Sequence, residues 1–235
     1  TRLTDANVGR TGVLDLYKLY GETGLPADER ISGSAGDFNI DTTGDDKPDT
    51  AIELSRILVK FNFSKLQELT GSQLDINSSN FSAKLKLFDV KTGHAVPRNF
   101  NVMAIPLSQS FDEGVGKNIS SYNDIGTANF LTASYSNSTD NVWFGTGASV
   151  SGAMGAASTD LIETANFGDG QGTRRLVFNQ NFNEGTEDLV LDITPFVSAT
   201  LAGQIDNHGF RISLTGSEET DTKTRFIKRF ASRHV

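Results

Sequence analysis

The sequence has no cysteine, only three histidines, and no apolar run approaching the roughly 18 residues that a membrane-spanning helix needs. Without cysteine there is no disulfide framework, no thiolate metal site and no thiol nucleophile. The histidines stand at 94, 208 and 234, too far apart for the paired spacing of a zinc site. His94 lies in KTGHAVPRN and His208 in DNHGF, both turn-like, so each reads as a turn or surface residue. The opening TRLTDANVGR lacks the charged-then-apolar order of a signal peptide, and a soluble chain with no membrane partner is expected.

Positive charge is also scarce. Lys and Arg number 21 against 29 Asp and Glu, a formal net charge of −8. Phosphate affinity comes from clustered cations that release counterions, so this balance argues against a nucleic-acid partner. The exception is the end of the chain. Lys223, Arg225, Lys228, Arg229 and Arg233 succeed one another with no intervening acid, which leaves −13 on residues 1–222. With no aromatic stacking platform beside it, this stretch is expected to meet protein carboxylates rather than phosphate.

The chain has apolar material enough for a core, with 16 Phe, while 23 Gly among frequent Asn, Ser, Thr and Asp imply many turns. In SRILVKFNF, Ile57, Val59, Phe61 and Phe63 alternate with Arg56, Leu58, Lys60 and Asn62, a period of two that predicts a strand with Phe61 in the core. FSAKLKLFDV repeats the pattern: Phe81, Ala83, Leu85 and Leu87 fall on one face, Lys84, Lys86 and Phe88 on the other. Between them SKLQEL predicts a short helix capped by Ser64. NFNVMAIPL, RRLVFNQNF, EDLVLDI, FRISL and TRFIKRF are further strand candidates. Seven or more short strands predict an all-β, jelly-roll-like β-sandwich of two antiparallel sheets. In DITPFVSATLAG, Thr194 as cap, Pro195 and Gly203 predict a helical connector at 194–202. Residues 145–172, rich in Gly, Ala and Ser, have no period and predict a long loop or arm available to a neighbouring subunit. No repeat and no linker stands out, so one domain over 1–235 is expected, with a further strand beyond it.

Several motifs bear on chemistry. In DTTGDDKPD, Asp41, Thr43, Asp45 and Asp49 place oxygens at alternating positions and are the candidate calcium ligands, although the displaced Gly and the lack of a twelfth-position Glu favour a solvated turn. Otherwise no cofactor is expected. GDGQG, residues 168–172, lacks the Walker lysine and the dinucleotide fingerprint and reads as a turn. No GxSxG elbow is present, and a pair of glycosidase carboxylates leaves no local signature. Five N-x-S/T matches, at Asn62, Asn77, Asn80, Asn118 and Asn137, read as chance in an Asn- and Ser-rich chain, since Asn62 falls in an expected core strand. Trp143 and Phe144 in DNVWFGTG, with Tyr122 and Tyr135, are candidate glycan contacts. The competing role for Trp143 is a core anchor.

The order of motifs carries a resemblance. SRILVKFNFSKL (Arg56, Leu58, Lys60, Phe61), FSAKLKLF (Ala83, Leu85, Leu87) and EDLVLDITPFVSATLAGQIDNHGFRISL (Asp192, Ile193, Thr194; Asn207, Gly209, Phe210) together resemble the DNRLRE-type β-sandwich family over roughly residues 50–215. The segment from His94 to Gly172 is longer than in that family, and its connector Trp is replaced within FVSATLAG. The resemblance implies the sandwich fold, and with it carbohydrate-binding modules and secreted surface proteins. TRFIKRFASRH, GTEDLVLDIT and DNHGFRISLTGSEE resemble, more particularly, virion structural proteins of tailed bacteriophages, marine ones included. This second resemblance implies a non-enzymatic virion component, in capsid decoration, neck, tail or baseplate, that assembles with copies of itself and other virion proteins as a homo-oligomer. The alternative is a carbohydrate-binding module for glycan attachment. On this reading FRISLTG and TRFIKRF form a hairpin around SEETD. Phe226 and Phe230 then pack inward, while Arg225, Lys228, Arg229 and Arg233 project outward or pair with carboxylates as an interface.

Overall fold

The computed structural model describes residues 7–19, 53–91, 97–116, 127–136, 139–220 and 226–234. Asp41, Thr43, Asp45, Asp49, His94, Tyr122 and Arg225 lie outside them, as does the side chain of Phe226. The strands, in chain order, are β1 (Val13–Leu19), β2 (Glu53–Leu54), β3 (Ile57–Val59), β4 (Lys84–Leu87), β5 (Phe100–Pro106), β6 (Thr132–Ser136) and β7 (Thr139–Val142). They continue with β8 (Ser151–Ala153), β9 (Leu161–Asn166), β10 (Thr173–Arg175), β11 (Phe178–Phe182), β12 (Leu189–Asp192), β13 (Phe210–Leu214) and β14 (Phe226–Ala231). Three short helices, α1 (Ser64–Leu69), α2 (Thr194–Leu201) and α3 (Gly216–Thr220), interrupt them. The described chain is mostly β, in several antiparallel sheets, with β8 and β9 paired in parallel.

One sheet has the order β11-β5-β13-β3. A second group joins β14-β1-β2 to the β12-β4 pair, because residues 88–90 run beside β14: Val90 N–H donates to Arg229 O at 3.0 Å and Ala231 N–H to Phe88 O at 2.9 Å. The largest hydrophobic cluster draws on both groups. Leu16, Leu85, Leu87, Leu189, Leu191 and Phe230 meet Ile57, Phe100, Val102, Phe182, Phe210 and Ile212. Stacked Phe100 and Phe182, with ring centroids 5.0 Å apart, and edge-on Phe196 and Phe210, 4.7 Å apart, fill its centre. In β4 and β12 the buried leucines alternate with exposed residues, as a strand covered on one face requires.

β13 differs, being buried at every position. Phe210, Ile212 and Leu214 enter the large cluster, while Arg211 and Ser213, on the opposite face of the strand, lie beneath a second cluster of Ile105, Leu107, Ala133, Trp143, Ala148 and Leu161. That double cover also explains β3: Ile57 joins one cluster and Leu58 packs on the other.

Four expectations need correction. Phe61 is 40% exposed, because β3 ends at Val59 and the chain turns into α1. Asn62 is exposed too, and its side chain rather than that of Ser64 serves the helix start, accepting from Ser64 N–H at 2.8 Å. Residues 145–172 are not a free arm: they hold β8 and β9, and Ala148, Leu161, Ile162 and Ala165 are buried. β13 and β14 do not form a hairpin. β13 is taken up by β5 and β3, α3 comes after it, and β14 pairs with β1. The α2 connector lies where the sequence puts it, although Asp192 Oδ1 accepts from Thr194 N–H at 3.0 Å and from its hydroxyl at 2.6 Å.

Candidate functional site

Asp160 is fully buried, at the start of β9. A buried carboxylate is stable only where donors surround it. Here Oδ1 accepts from Phe144 N–H at 2.8 Å, and Oδ2 from Gly145 N–H at 2.9 Å and Val150 N–H at 3.1 Å. The same loop turns its carbonyls toward two arginines. Arg56 donates to Thr146 O at 3.1 Å and Gly147 O at 2.7 Å, and Arg211 to Ala148 O at 2.7 Å. Arg56 is itself held by a two-pronged ion pair with the buried Glu219, at 3.1 and 2.7 Å. Gly147 has φ +71°, and a Cβ there would run into the Arg56 guanidinium and the Phe130 ring, so no other residue fits that turn. Burial, aided by the Arg56 charge, lowers the Arg211 guanidinium to about 10, which still leaves it charged at neutral pH.

What this scaffold presents is Phe144, 57% exposed at the rim of a cleft of about 470 Å³. The cleft lies where four chain segments converge: the end of β5 (Ser108, Gln109), the β8–β9 connection (Met154 to Thr159), the α2–β13 connection (Gln204 to His208), and Phe144. Ser108 N–H donates to Asp160 O at 2.8 Å and its hydroxyl donates to Thr159 O, joining the first two segments. Gln204 donates to Phe167 O at 3.1 Å and Gln109 to Val142 O at 3.4 Å, which orients both amides. Ser158, with φ 59°, holds a backbone conformation that side chains other than Gly seldom adopt. Half-burial lowers the His208 pKa below its ordinary value; Asp206 opposes that and Lys60 adds to it, so the ring is neutral at pH 7. Asp206 is the one carboxylate among the described lining residues.

Trp143 precedes Phe144 and faces the other way. At 5% exposure, with its indole N–H donating to Asn129 O at 2.8 Å, it anchors the second cluster and offers no ring face to a glycan. Tyr135 is exposed on β6. GDGQG forms the expected turn, between β9 and β10, with Arg174 paired to Asp169.

The described cations of the basic end, Lys228, Arg229 and Arg233, are spent on the protein's own groups. Lys228 is 0% exposed, contrary to an outward projection, because it shares the inward face of β14 with Phe230. Its ammonium donates to Asp89 Oδ1 at 2.6 Å and to the carbonyls of Gly185 and Glu187, each at 2.9 Å, and lies 5.0 and 5.2 Å from the Phe182 and Phe230 ring centres. Arg229 pairs with Asp15 at 3.0 Å, and Arg233 with Glu113, which His234 also approaches at 3.3 Å. Pairing with carboxylates therefore occurs, within one chain.

No protein-family model, curated protein or solved structure matches this chain. Sequence reasoning missed Asp160, Gln109, Gln204 and Asp206. They come from three separate places, the start of β9 (Asp160), the segment after β5 (Gln109) and the α2–β13 connection (Gln204, Asp206), so no single local spacing links them all.

Proposed function

We propose that this chain is a non-enzymatic structural component of a bacteriophage virion, a jelly-roll-like sandwich that works by assembly with copies of itself and other virion proteins. The observation that carries the reading is the exposure of three large apolar side chains on or beside the β6–β7 hairpin, Leu131, Tyr135 and Val142. Three large apolar side chains left in water at one short hairpin suit a protein contact. The KRFASRH segment adds to this. In this chain its first four residues, 228–231, end β14, where Lys228 is bound to Asp89, so residues that carry this resemblance also hold the fold.

The test is incorporation. Particles assembled with a tagged copy should carry the wild-type chain, and Val142→Asp together with Leu131→Asp should abolish incorporation while the thermal midpoint stays in place. A chain that joins no particle, and stays monomeric in solution, would contradict the reading.

A further inference from the structure

We infer that the cleft beside Phe144 is a binding site for a neutral saccharide, with the Phe144 ring as its stacking platform. This goes beyond the assembly role and does not depend on it. A large aromatic left more than half exposed gains little for folding, yet three backbone N–H donors to Asp160 fix the loop that carries it. A ring carried on a backbone fixed in this way is partly preorganised for a ligand with an apolar face. Sugars have such a face, the axial C–H groups of a pyranose, which suits the negative face of a phenyl ring.

The remaining lining sets the class of ligand. Gln109, Gln204 and Ser158 carry groups that both donate and accept, as does the neutral imidazole of His208, and Asp206 can accept from two adjacent hydroxyls. No Lys or Arg is among the described lining residues. A phosphate, sulfate or sialic acid would therefore meet Asp206 with no lining cation to offset its charge. A purely apolar ligand would strand the amides and the carboxylate. The volume, about 470 Å³, is within the range of small-ligand sites and accommodates a short oligosaccharide end rather than a whole chain.

The experiment is a glycan array of neutral, sialylated and sulfated oligosaccharides probed with the purified chain. The strongest neutral glycan is then titrated while amide chemical shifts are followed. Binding to neutral glycans is expected, with shifts at residues 144, 155–159 and 204–208. Phe144→Ala is expected to weaken it by about tenfold with an unchanged thermal midpoint, because the ring is exposed. Binding to acidic glycans alone, shifts confined to other residues, indifference to Phe144→Ala, or no glycan bound would each overturn the inference. None of these outcomes bears on incorporation into particles, which is read separately.

Discussion

Strand β14 and the 144–160 segment are each organised around one buried charge, and the two charges reach different distances along the chain. Lys228 gathers acceptors 139, 43 and 41 residues away. Asp160 gathers donors 16, 15 and 10 residues away. The first ties remote parts of the fold to one another, whereas the second sets the shape of a single loop. Removing Lys228 should therefore threaten the whole molecule; removing Asp160 should chiefly loosen the loop that presents Phe144.

Deleting residues 148–166 is the harshest way to break the comparison. It removes Asp160 together with buried Leu161, Ile162 and Ala165, and soluble, cooperatively folding protein should be lost, as read by circular dichroism on heating. A deletion variant with a normal transition would restore the free-arm expectation.

Lys228→Met comes next. It leaves the Asp89 carboxylate and two carbonyls without their donor and should cost about 3–5 kcal/mol in urea titration, the usual penalty for breaking a buried ion pair. A loss near zero would mean that the aromatic packing alone holds β14. Asp160→Ala strands three N–H groups in one loop that can partly relax toward water. A smaller loss, about 2 kcal/mol, is expected, together with weakened ligand capture at the cleft.

A smaller effect sharpens the same contrast. Because burial lowers the His208 pKa, the unfolded chain binds that proton more readily than the folded one. Its contribution is complete above an unfolded value of about 6.5 and declines as pH falls from there through the folded value. His208→Gln should flatten the dependence of stability on pH below 6.5; an unaltered profile would show that the ring is solvated. Smallest of all, Phe61→Asp should change stability by no more than about 0.5 kcal/mol, since the side chain lies at the surface, outside both hydrophobic clusters. A variant that fails to fold would return Phe61 to the core.

The predominance of β structure is legible in the sequence because β4 and β12 are covered on one face only, so Leu85, Leu87, Leu189 and Leu191 fall at a period of two. β3 misleads because its two faces meet two different clusters, and apolar Leu58 breaks the alternation that Phe61 merely continues. For β14 the parity is sound. Lys228 lies two residues from Phe230 and therefore faces inward, and charge is the wrong guide because three acceptors and two rings surround it. Residues 145–172 give no periodic signal since Gly, Ala and Ser bury little area each; their order comes from Asp160, Arg56 and Arg211. The cleft is legible only at Phe144. Its other members arrive from separate connections, and Trp143, the more conspicuous aromatic, is committed to the core.

Native-state hydrogen exchange resolved to single amides is the most direct test that buried charges fix both regions. The amides of Phe144, Gly145 and Val150 and those of β14 should all be strongly protected, with β14 exchanging only through global unfolding and the loop through a more accessible local opening. Rapid, unprotected exchange in either region would contradict the account, by showing that its buried charge does not hold the backbone around it.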